Sequence, residues 1–210
     1  MARLRVNPTR MELLKIRRRL ATALRGHKLL KDKLEGLMQE FMDRVAAYRD
    51  LRREVDAELP AVLGHFAMAE ALAGPPALRA ALEASRPDVE IGFRTEKLMG
   101  VPVPAITYRL GPRRPYSFLE TPADLDSAVS AMRAFSEKLI QLARREEAVR
   151  RLAVEVEKTR RRVNALEYVL IPNLQETRKY ISSKLDENER GNISRLMKIK
   201  DIIRGEATRG

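Results

Sequence analysis

The chain has 210 residues, of which aromatics make 5% and charged residues 33%, with no Trp and no Cys. So little ring surface excludes a large compact core and favours an elongated form, while the lack of Cys excludes disulfides and thiolate metal sites and fits a reducing compartment. Forty-one Lys and Arg against 29 Asp and Glu leave a net charge of +12, which points to an acidic partner: nucleic acid, anionic lipid or an acidic protein surface.

Arg3 and Arg5 are not followed by the apolar run of a secretory leader, because Lys15, Arg17, Arg18 and Arg19 interrupt it. No stretch approaches the roughly 20 apolar residues of a membrane span, so any membrane association is expected to be peripheral. The first element starts at Pro8-Thr9-Arg10-Met11-Glu12, where Thr9 and Glu12 match a reciprocal helix cap. Leu13, Leu20, His27, Leu34, Phe41, Tyr48 and Val55 then recur every seven residues, with Ile16, Ala23, Leu30 and Leu37 three further on. That seam predicts one long helix, ended by Pro60.

Residues 61–120 predict a separate middle segment. Ala61 to Leu72 and Pro76 to Ala84 read as two short helices. Val89, Ile91 and Phe93, then Ile106, Tyr108 and Leu110, alternate like the strands of a hairpin whose connection is Lys97 to Pro104. Thr121-Pro122-Ala123-Asp124 predicts a second long helix over residues 121–210. Its seam is Phe135, Leu142, Val149, Val156, Val163 and Leu170, with Met132, Leu139, Leu152 and Leu166 beside it. Pro172 should kink this helix, and patterning resumes at Leu174, Ile181 and Leu185.

The fold class expected is therefore mainly α: an antiparallel two-helix coiled coil formed by segments 1–60 and 121–210, with short helices and a β-hairpin between them. At about 1.5 Å per residue the second helix is the longer, and its surplus near Leu125 to Leu142 is expected to need cover from the middle segment.

No phosphate-binding loop is present, since Gly26-His27-Lys28 lacks the preceding glycine and strand. His27 lies on the seam, where a polar residue usually sets pairing register, and His65 lies among apolar residues. Neither histidine supports an active site, and no cofactor or metal is expected. Charge is more telling: Met1 to Lys33 holds 11 Lys and Arg against 2 acids, and Arg178 to Gly210 holds 9 against 5. Lys158-Thr159-Arg160-Arg161-Arg162 is a third cluster. Nucleic-acid binding has no aromatic platform or groove-reading module in its support.

Asn7-Pro-Thr-Arg-Met-Glu-Leu-Leu through Arg25-Gly-His-Lys-Leu-Leu-Lys-Asp-Lys33, and Lys158-Thr-Arg-Arg-Arg-Val-Asn-Ala-Leu-Glu-Tyr-Val-Leu-Ile-Pro172 continuing to Leu185-Asp-Glu-Asn-Glu-Arg190, resemble the D subunits of the vacuolar/archaeal-type (V-type/A-type) rotary ATPases. Leu98-Met-Gly-Val-Pro-Val-Pro104 is similar to that family's middle segment. Gly191-Asn192 departs from its pattern, which predicts less regular final turns. The resemblance implies a non-catalytic central shaft at the cytoplasmic face of a membrane complex. The partners it implies are the nucleotide-binding A and B subunits of the head, the small F subunit of the stalk and the funnel-shaped C/d subunit above the membrane ring. Arg10, Lys15, Arg17, Arg18, Arg19, Arg160, Arg161 and Arg162 become the candidate contact residues. The alternatives are a coiled-coil adaptor that dimerises between chains and a basic nucleic-acid-binding coiled coil.

Overall fold

The computed structural model describes residues 4–84, 89–112, 116 and 121–207. Its elements in chain order are α1 (Arg10–Ala73), α2 (Pro75–Ala84), β1 (Val89–Leu98), β2 (Val101–Leu110), α3 (Asp124–Ala165), a π-helical turn (Leu166–Leu170) and α4 (Ile171–Ala207). The long helices and small hairpin are those the periodicity demands. The chain divides into two compact units, residues 1–35 with 158–210 and residues 36–157.

In the first unit the N-terminal part of α1 pairs antiparallel with α4. The Glu12 amide donates to Thr9 Oγ1 (3.2 Å), the cap expected from the sequence. Ile16, Leu20 and Ala23 pack with Ile171, Leu174 and Ile181, and Leu4, Val6, Leu13, Tyr180 and Leu185 border that core. The Leu4 amide donates to Thr177 Oγ1 (3.2 Å), and the Thr177 hydroxyl donates to the Asn173 carbonyl (2.7 Å). Thr177 is thus fully buried with both hydrogen-bonding roles used.

In the second unit α1 and α3 also run antiparallel: Arg145 Nη1 donates to the Ala47 carbonyl (2.8 Å), and further along the pair Lys138 bonds Glu58. Leu51, Val55 and Val62 pack with Phe135 and Leu142; Ala69 packs with Leu78, Ala81, Tyr116 and Leu125.

Pro60 does not end the first helix. Val55, Leu59, Val62, Phe66 and Ala69 continue the seam on one side while Pro60 faces solvent, so the helix forfeits one amide bond and keeps its burial. Ala61 to Leu72 is therefore part of α1 rather than a separate helix. The end comes at Gly74, whose φ of +78° supplies the left-handed residue that closes a helix; its amide donates to the Glu70 carbonyl (2.8 Å), and its own carbonyl starts α2. Leu125 to Leu142 is covered by this extension and by α2. Within the first unit, every residue of α4 from Asp186 to Ile203 is exposed. Gly191 does not disturb α4, which stays helical to Ala207.

The hairpin is longer than the alternation suggests, because pairing runs without a break from Val89↔Leu110 to Leu98↔Val101. Pro102 and Pro104 fit a two-stranded ladder, in which each strand has an open edge. The connection is only Met99-Gly100, with φ of 51° and 82°, a primed turn whose twist matches the strands. At its tip Val101 packs with Leu37 and Leu152, while Arg151 Nη1 donates to the Pro102 carbonyl (3.0 Å). Tyr108 Oη and Ser136 Oγ bond at 3.1 Å further along.

Candidate functional site

The candidate basic residues follow from helix geometry. On α1, Arg10 and Arg17 lie seven residues apart and line the same groove beside α4, together with Leu13, Leu14 and Leu185. Lys15, Arg18 and Arg19 point away from the core formed by Ile16 and Leu20, and all are exposed. Lys15 Nζ approaches Glu12 Oε2 at 3.4 Å within the first turns. Arg17 also borders a second groove with Pro172, Gln175, Arg178 and Lys179. Arg17 thus lines one groove with two further cations and an acid, Glu176, of α4, a grouping that short-range helical spacing could not disclose.

Arg160, Arg161 and Arg162 are exposed on α3 beside the buried Thr159. Consecutive helical positions differ by about 100°, so the three fan across the outer face and do not form one fork. They belong to the same unit as the α1 cluster. These cations leave the first unit with an outward basic surface and an inward apolar seam.

His27 Nε2 of α1 lies 3.3 Å from Glu167 Oε2 of the π turn. His65 is exposed. Among the described residues no three of His, Cys, Asp and Glu gather as a metal set, and no helix is long and apolar enough to cross a membrane.

The feature that sequence reasoning missed is the π turn. Its closing bond runs from the Ile171 amide to the Leu166 carbonyl, so the helix carries one extra residue there. A strict heptad puts Leu170 seven residues after Val163 on the seam; instead Leu170 is 42% exposed and Ile171 is 8% exposed. The signal was present as a change of phase, because Leu174 and Ile181 lie out of step with Val156 and Val163. Pro172 stands just beyond the turn, where it has no amide to donate to Tyr168.

Antiparallel helix pairs, joined in the chain by a short helix and a two-stranded hairpin, define a mainly α protein of long paired helices. The family model for the ATP synthase D subunit matches residues 12–201. The chain is 46% identical over 212 residues to the V-type ATP synthase D subunit of Acetivibrio thermocellus, covering 99% of this chain and 96% of that one. It is 44% identical to the corresponding V-type ATP synthase protein of Clostridium botulinum, with 96% of each chain covered, and 44% identical to that of Clostridium novyi, with 98% of each covered. The chain belongs to the ATP synthase D-subunit family.

Proposed function

We propose that this chain is the central shaft of a V-type rotary ATP synthase or ATPase, a non-catalytic subunit that carries torque between an ATP-binding head and a membrane ion-translocating ring. The observation that carries the reading is the near-full-length match to V-type D subunits, on a chain whose long helices pair antiparallel in each unit. Such pairing resists bending and twisting better than a single helix, as torque transfer requires. Its partners are the A and B subunits of the head, the small F subunit and the funnel-shaped subunit above the ring, at the cytoplasmic face of the membrane. Hydrolysis and synthesis belong to the neighbouring subunits. The shaft biases their open and closed states through contacts that differ around its circumference.

Arg10, Lys15, Arg17, Arg18 and Arg19, with Arg160, Arg161 and Arg162, track acidic patches of the head. Pro172 and the adjoining π turn bend α4, since each is a kinking device, and a bent shaft turns eccentrically. Affinity purification of the chain from its native source should bring down ATP-binding subunits and a membrane ring. Charge reversal at Arg17, Arg18 and Arg19 should weaken coupling, most at low salt. A purification that returns only nucleic acid, or only further copies of the chain, would overturn the shaft reading in favour of the alternatives.

A further inference from the structure

The two strands of the hairpin leave their outer edges in opposite conditions. β2 carries Pro102 and Pro104, which have no N–H, so Lys97↔Pro102 and Thr95↔Pro104 are the pairs that exchange no hydrogen bonds, and both prolines turn their nitrogens outward. Prolines on an edge block the addition of a further strand. Arg151 also occupies the Pro102 carbonyl (3.0 Å), and Val101, Val103 and Ala105 are buried. The outer edge of β2 is thereby closed.

β1 has no proline, and every residue from Val89 to Lys97 is exposed. Because bonded and non-bonded pairs alternate, the residues in step with Thr95 and Lys97, namely Val89, Ile91 and Phe93, also aim their N–H and C=O groups away from β2. Their side chains share one face, with Ile91 at 50% and Phe93 at 72% exposure. A ten-residue strand with an apolar face and an open edge is a template for one more strand.

The order of residues along β1 says which strand fits. A second β1 laid antiparallel, with the two Gly92 residues meeting at the axis, sets Ile91 opposite Phe93 and Glu90 opposite Arg94, and symmetry repeats both pairs. Ile91 and Phe93 then exchange the outward hydrogen bonds, whereas Glu90 and Arg94 fall in the closer, non-bonded positions where side chains approach most. Sliding one copy until Phe93 faces Phe93 puts Glu90 opposite Glu96 instead, so charge selects the register.

We propose that the free chain pairs with a second copy of itself through β1, joining two hairpins into one four-stranded antiparallel sheet. The seams of the long helices are filled within each chain, so this pairing differs from that of an adaptor that dimerises through its heptads. It concerns the chain before it meets any other subunit, and it stands without the shaft reading. The open edge gains a specific, reversible occupant in place of chance pairing with strands of other proteins.

The test uses the full chain, purified alone, in sedimentation runs from about 10 µM to about 1 mM, the range in which so small a contact should pass from monomer to dimer. Amide exchange at Ile91 and Phe93 should slow as concentration rises, whereas Gly92 and Arg94, whose amides already bond β2, should not change. Ile91→Pro removes an outward N–H that the hairpin does not use, so it should abolish the dimer and leave the melting temperature of the chain unchanged. Arg94→Glu should raise the dissociation constant about tenfold through two like-charge pairs, and combining it with Glu90→Arg should restore the parent value. A chain that stays monomeric throughout, a dimer indifferent to Ile91→Pro, or a combined variant that fails to recover would overturn the pairing. Concentration-dependent protection on α1 or α4 instead of β1 would overturn it as well. Capture of ATP-binding subunits from the native source is independent of all these results, so the two readings fail separately.

Discussion

Pro60 and Pro172 occupy the same kind of position, inside a long helical stretch, and the chain answers them differently. Around Pro60 the seam keeps its phase through Val55, Leu59, Val62 and Phe66, and the helix stays α. Around Pro172 the seam advances by one residue, and a π turn sits immediately before the proline. Proline alone therefore does not decide how a helix is interrupted. What decides is whether the apolar side chains on either side need the same register.

The largest effect that can test this contrast is at the seam itself. Ile171→Ala should lower stability by about 2–5 kcal/mol, whereas Leu170→Ala should cost less than about 1 kcal/mol, measured by urea unfolding. Equal costs would mean that the register shift is not there. Pro60→Ala should stabilise the chain by about 1–3 kcal/mol, because it restores a helical amide on a solvent face without moving any core residue. Pro172→Ala should leave the π turn in place, since the register of Ile171, Leu174 and Ile181 still needs the extra residue. Amide hydrogen exchange across Leu166–Leu170 should then be unchanged, and strong new protection there would assign the turn to the proline.

Thr177→Val keeps the shape of a buried side chain but removes the hydroxyl that receives the Leu4 amide. It should cost about 1–2 kcal/mol and raise exchange at Leu4. The smallest effect concerns acid. Glu187 accepts a hydrogen bond from Lys184 Nζ (2.6 Å), and that bond, with the Lys184 charge, holds its carboxyl below the usual range. A depressed carboxylate contributes stability above its unfolded-state value and loses it as pH falls through the folded one. The melting temperatures of the parent and Glu187→Gln should accordingly converge in acid, with only a slight gap at neutral pH because the pair is exposed.

Much of the architecture could be read from residue spacing. Ile16, Leu20, Ala23, Leu37 and Val55 lie buried where the heptads put them, and Thr9 caps α1. The errors share a cause. Pro60 and the hairpin connection follow local propensity, and Leu170 a strict seven-residue repeat, whereas each is settled by packing across elements. Val62 and Phe66 carry α1 past its proline. Val101, pinned on Leu37 and Leu152, pulls the strands together up to a two-residue turn. Among the candidate contacts, exposure of the arginines could be read from their heptad positions. That Arg17 shares a groove with Arg178, Lys179 and Glu176 could not, because it depends on how α1 and α4 align.

Thr177 lies 173 positions beyond Leu4. During synthesis, Ile16, Leu20 and Ala23 emerge long before Ile171, Leu174 and Ile181 exist to cover them. At roughly 5–20 residues per second that leaves an oily stripe naked for about ten to thirty seconds on the ribosome. Long-range closure of this kind is slow, and until it happens the stripe is free to zip onto the same arm of a neighbouring chain.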